Sequence, residues 1–106
     1  MPRYLFRARY TQEGIKGVIK EGGTARLEAV DKLLQSVGGR AEAQYWAFGE
    51  DDYLVIAELP DNVAAASVAG AVGASGAASV STTVLLTADE IDQVGRRTIE
   101  YRPPGG

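Results

Sequence analysis

From Asn62 to Ala88 the chain carries no charged residue. A stretch that long must lie in a membrane or be divided into elements that share a protein core. The 17 residues from Val63 to Ser79 are eight Ala, three Gly, three Ser and three Val, with no Leu, Ile or Phe. Side chains this small gain little from lipid, and the Ser75-Gly76 pair breaks a helix from a following strand. The composition therefore excludes a membrane span. It predicts an Ala-rich helix from about Asn62 to Gly73, capped by Asp61 or Asn62, and then a Val/Thr/Leu-rich strand over 79–87. A helix of Ala and Gly also lets another backbone approach closely, and a sheet beneath it is the expected neighbour.

The rest of the chain supplies that sheet. Tyr4, Phe6, Ala8 and Tyr10 alternate with Arg3, Leu5, Arg7 and Arg9, the period of a half-buried strand. Thr11 suits an N-cap for a weakly helical Gln12–Lys20, in which Gly14 and Gly17 each cost about 1 kcal/mol relative to Ala. Gly22-Gly23 bends or interrupts that helix. Leu27, Val30, Leu33, Leu34 and Val37 then form one helical face, ended by Gly38-Gly39. A second strand spans 41–48, with Ala43, Tyr45 and Ala47 opposed to Glu42, Gln44, Trp46 and Phe48. The Gly49-Glu50-Asp51-Asp52 turn leads into a third strand over 53–59, stopped by Pro60. Thr87-Ala88-Asp89-Glu90 fits a capping box, which predicts a short helix to about Val94.

The order βαββαβ, with right-handed crossovers, is the ferredoxin-like α+β arrangement: a four-stranded antiparallel sheet with two helices on one face. Residues 1–97 make the domain and 98–106 a tail. The other sheet face is left uncovered, and Arg7, Arg9, Glu42, Trp46 and Phe48 are expected on it. Such a face is too apolar to leave open, so pairing with a second copy is expected.

Composition narrows function. The chain has 106 residues, no His and no Cys, and a net charge of −3. Disulfides, thiolate or imidazole metal sites and Ser-His or Cys-His nucleophiles are excluded. The acidic balance speaks against nucleic acid as a partner. Charge is also uneven: residues 1–48 are net +3 and residues 49–106 net −6, an asymmetry that can steer one copy onto another. Met1-Pro2-Arg3 runs directly into the first strand, so no targeting segment is expected and a cytoplasmic location is.

Several landmarks then coincide: Tyr10-Thr11-Gln12-Glu13-Gly14-Ile15-Lys16, Arg26, Gly38-Gly39, Phe48-Gly49 with Asp52 leading a strand, and Glu58-Leu59-Pro60-Asp61. Together they resemble the GYD domain family over about residues 1–92. Asp51 stands where the family has its name-giving Tyr, and Tyr53 falls just after. The resemblance implies a ferredoxin-like fold of the dimeric α/β-barrel type, in which two sheets close face to face; it assigns no activity.

The candidate pocket residues are Tyr10, Lys16, Arg26, Tyr45, Trp46 and Asp52. Arg26 comes first, as a cation near a helix start and at a family position. Gly38, Gly39, Gly49 and Pro60 are expected to shape turns, with Gly49 supplying an unusual backbone angle and Asp52 accepting a nearby N–H. Glu50, Asp51 and Asp52 with Glu58 or Asp61 could in principle hold a hard cation, but acidic residues are natural in turns, and no metal or cofactor is expected. The leading expectation is a dimeric protein that binds a small apolar or anionic molecule without chemistry. The alternatives are a cofactor-independent monooxygenase or isomerase-like enzyme, drawing on Tyr10, Lys16, Arg26, Glu42 or Asp52, and a purely structural or regulatory homo-oligomer. The missing proton-transfer residues set binding and assembly ahead of catalysis.

Overall fold

In the computed structural model, which describes all 106 residues, the first alternating segment is strand β1 (Arg3–Tyr10). Thr11 turns the chain into α1 (Gln12–Glu21), its hydroxyl accepting the Gly14 N–H at 3.1 Å. Gly22, at φ +94°, ends α1 and opens α2 (Gly23–Ser36), a backbone angle that a side chain would strain. Strands β2 (Arg40–Trp46) and β3 (Tyr53–Glu58) follow, then α3 (Asn62–Ala74), β4 (Ala78–Leu85) and α4 (Ala88–Arg96). Asp61 caps α3 by accepting the Ala64 N–H, and Thr87 with Glu90 completes the capping box of α4. No helix is long and apolar enough to cross a membrane.

The sheet runs in the order β2-β3-β1-β4, antiparallel throughout, as two interleaved βαβ halves require. The helices α1, α2 and α3 lie on one face, so the first crossover contains two helices where one was expected. Tyr4, Phe6, Tyr53, Val55 and Ala57 point into that face and form the core with Leu34, Leu59, Ala65 and Val68. The Tyr4 hydroxyl donates to Asn62 Oδ1 at 2.6 Å and ties β1 to the start of α3.

Two glycines are dictated by close approach or turn geometry. Gly38, at φ +82°, terminates α2, and a Cβ on Gly39 would collide with the Leu59 side chain and the Glu58 carbonyl. Gly49 departs from expectation: its φ is not positive, and nothing surrounds the place a Cβ would occupy. The α3 glycines depart too. Gly70 and Gly73 meet open space, so the close packing of α3 on the sheet side comes from its alanines, with Ala65 in the core and Ala64 and Ala69 packed against it. A glycine at a close approach is Gly14 in α1, where a Cβ would strike the Ala77 carbonyl.

The main correction concerns β2. Its register against β3 shifts between Ala41 and Ala43, a bulge that leaves Glu42 unpaired. Beyond a bulge every side chain changes face. Trp46 pairs with inward-facing Tyr53 and lies on the helical side, while Tyr45 pairs with Leu54 and is 69% exposed on the open face. Trp46 therefore leaves the set expected on the open face. Phe48 leaves it as well, because β2 ends at Trp46 and Phe48 projects from the following loop, fully exposed.

Candidate functional site

The helices do not close over the sheet. The pair α1–α2 stands on one side and α3 on the other, and between them a cleft of about 480 Å³ reaches Phe6, Ala8, Tyr53 and Val80 of the sheet. That volume lies within the range of small-molecule sites, roughly 300–1,000 Å³. Its walls come from α1 (Gly14, Gly17, Val18, Glu21), α2 (Arg26, Ala29, Val30, Leu33) and α3 (Val68, Ala69, Val72), and 17 of the 23 lining residues are hydrophobic. Glycine and alanine make the space. A Cβ on Gly17 would meet nothing, and α3 presents only short side chains.

The polar groups gather at the α1–α2 junction. Arg26 projects from the first turn of α2, where the Gly22 break starts a new helix direction. Its guanidinium pairs with Glu21 at 3.6 Å, yet Nε is buried without a hydrogen-bond partner. A buried unpaired donor is costly, about 1–3 kcal/mol, unless something accepts from it. Tyr10 faces the same guanidinium. Burial pushes its phenol above the ordinary value, and Arg26 pulls in the opposite direction. Burial also pushes Tyr53 up to about 12, with Tyr10 and Asp31 adding to the rise. Both phenols are neutral donors at pH 7.

A stack of rings backs this polar end. Trp46 lies on Tyr53 with centroids 4.2 Å apart and on Tyr10 at 5.9 Å, and its indole abuts Gly23. The Tyr53 hydroxyl donates to Gln44, whose amide donates to Asp31 at 2.7 Å, so Tyr53 is held by its own chain. Asp52 accepts the Tyr10 N–H at 2.8 Å and fixes the end of β1.

Of the six residues singled out from sequence, Tyr10 and Arg26 line the cleft, and Trp46 and Asp52 support it from behind. Lys16 does not reach it; it is exposed and paired with Glu13 at 3.8 Å. Tyr45 lies on the opposite sheet face. The acidic residues near the β2–β3 turn serve separate tasks, with Asp52 on Tyr10, Glu58 between Arg3 and Arg40, and Asp61 on α3, and no group of them converges as metal ligands. Sequence reasoning missed the α1 wall. Gly14, Gly17, Val18 and Glu21 fall on one helical face, and that spacing was the available signal.

Fold and cleft together define a small ferredoxin-like α+β domain with a ligand-sized space on its helical side. The chain matches the GYD domain over residues 4–94, and it belongs to that family. No curated protein and no solved structure matches it.

Proposed function

We propose that the protein binds a small, mainly apolar molecule bearing one carboxylate or similar acceptor group, without transforming it, and works as a homodimer joined through the open sheet face. The observation that carries the binding reading is the Arg26 guanidinium, its Nε without a hydrogen-bond partner, at the polar end of a mainly apolar cleft that Glu13, Glu21 and Tyr10 also line. An acceptor oxygen that competes with Glu21 for the Arg26 guanidinium would gain a charge-assisted hydrogen bond, and the apolar body would displace water from Val30, Val72 and Val80. The titratable groups of the cleft support binding without chemistry. The phenols hold their protons, Glu21 is neutralised by Arg26, and Glu13 is exposed beside Lys16.

The dimer reading rests on the uncovered face, where Leu5, Leu54, Ile56 and Leu85 lie half-buried with no layer above them. An apolar sheet face in water is relieved by pairing.

Calorimetric titration with 2-naphthoate, and with the neutral 2-naphthamide as control, tests the site. Naphthoate is expected to bind and to be recovered unchanged, with affinity reduced about tenfold or more in Arg26→Gln, the cost of a lost charge-assisted hydrogen bond. Equal affinity for the acid and the amide, or no binding, rejects the site; conversion of a bound aromatic compound favours the oxygenase reading. Light scattering should give twice the 11.2 kDa chain mass.

A further inference from the structure

The C-terminal arm is the part of the molecule that its own core leaves unexplained. Every residue from Ile91 to Gly106 is exposed. Leu86, Ile91, Val94, Ile99 and Tyr101 are each more than half exposed, and α4 with the segment after it forms an open groove of about 350 Å³ lined by Leu86, Val94 and Ile99. The radius of gyration is 16.8 Å, against about 13 Å for a compact domain of this length. The long axis of 56 Å compares with 32 and 22 Å across. A nine-residue helix is too short to persist in water by propensity alone, yet α4 carries a complete capping box and an apolar stripe.

We infer that this arm, residues 86–101, docks on the open sheet face of a second copy of the chain. The inference rests on the dimer proposed above and names the element that completes it. Two observations select a second copy as the occupant.

The first is charge. Arg7 stands in the middle of the open face with no carboxylate within ion-pair distance; its guanidinium donates to the Thr83 hydroxyl at 3.3 Å and lines one shallow pocket with Glu50 and Asp51. Neighbouring Arg9 is held by Glu50, its Nε donating to the Glu50 carbonyl at 2.8 Å and its guanidinium lying 3.7 Å from the carboxylate. The other cation on that strand, Arg3, is already engaged by Glu42 and Glu58. The arm offers the complement. Asp89, Glu90 and Asp92 crowd its first turns, and Asp89 and Asp92 pair with no cation of their own chain. The complement is therefore local: Arg7 on the face against Asp89 and Asp92 on the first turns of the arm, with Arg9 beside Glu50 and Asp51 and with Arg96 and Arg97 at the far end of α4.

The second is area. Four strands of six to eight residues project roughly 500 Å² of flat sheet, at about 4.8 Å between strands and 3.3 Å per residue. A stable interface takes about 800 Å² from each partner. The accessible surface of side chains standing on such a face exceeds its flat projection, and an apolar arm from each copy laid against it adds further buried area.

The test combines charge exchange with amide exchange on the full chain. Arg7→Glu should weaken the dimer by about tenfold or more in sedimentation equilibrium, as truncating one partner of a close charge pair does. Asp89→Arg with Asp92→Arg should weaken it similarly, and the combined triple variant should recover most of the loss. In the wild type, α4 amides should become protected as concentration crosses the dimer range, and Ile91→Glu with Val94→Glu should remove that protection while the β1 and β3 amides stay protected. Protection that ignores concentration would place the arm on its own sheet, and no protection at any concentration would assign it to another protein; either overturns the inference. A wild-type dimer unaffected by the arm variants overturns the arm alone, whereas a monomeric wild type overturns the pairing as well.

Discussion

The two faces of one sheet behave as different surfaces although their residues alternate along the same strands. The inner face carries Tyr4, Phe6, Tyr53 and Val55, each 7% exposed or less. The outer face carries Arg3, Leu5, Arg7, Leu54 and Ile56, none of them buried, with Glu58 as the single buried residue, held between Arg3 and Arg40. What separates them on β2 is one bulged residue. Without the register shift at Glu42, Trp46 would point outward and Tyr45 inward, and the ring stack behind Arg26 would not form. A local backbone irregularity thus decides which aromatic serves the cleft and which serves the open face.

The sharpest way to break the comparison uses adjacent residues. Val55→Asp buries an unpaired carboxylate in the core and should cost about 4 kcal/mol or more, enough to prevent folding. Ile56→Asp should leave the fold intact by circular dichroism and yield a monomer. An unfolded Ile56→Asp would mean that the outer face is part of the core.

Glycines give the next contrast. Gly39→Ala forces a methyl into Leu59 and the Glu58 carbonyl, an overpacking penalty of about 1–3 kcal/mol. Gly17→Ala meets open space in an unstrained helix and should stabilise by about 1 kcal/mol. Urea denaturation measures both, and equal effects would contradict the cleft at Gly17.

A pH titration sharpens the inner face alone. Unfolded Tyr53 loses its proton near 10, whereas the folded group holds it to about 12. Between those values the native state binds more protons, so stability is complete below pH 10 and falls as pH rises toward 12. Absorbance at 295 nm should show Tyr53 titrating at about 12, and Tyr53→Phe should remove that part of the late titration and leave the contribution of Tyr10. The smallest effect concerns the arm. Thr87→Ala removes the cap, worth about 1 kcal/mol to α4; it should speed α4 amide exchange and leave the sheet's exchange unchanged.

Much of this architecture is legible in the residues. The alternation of β1, the caps at Thr11, Asp61 and Thr87, and the break at Gly22 are local chemistry and act locally. The bulge is not local. Ala41-Glu42-Ala43-Gln44 alternates acceptably in either register, and the register adopted is the one that stacks Trp46 on Tyr53. The cleft was half legible. Arg26 was evident as a cation near a helix start and Tyr10 as an aromatic at the end of a strand, but Gly14 and Gly17 read as helix weakeners, because propensity reports neither the close approach that Gly14 permits nor the space that Gly17 leaves. The small residues of α3 were legible as a closely packed helix, and the alanines Ala64, Ala65 and Ala69 pack so, while Gly70 and Gly73 meet open space.

Trp46 is the chain's single tryptophan and stacks directly behind the polar end of the cleft. Its fluorescence, followed while 2-naphthoate is added, tests the cleft as a binding site most directly. The wild type should show a saturable change, and Gly17→Leu, which fills the open space with a side chain, should abolish it while keeping the native far-UV spectrum. An unchanged titration in Gly17→Leu, or no saturable change in the wild type, would contradict binding between α1, α3 and the sheet.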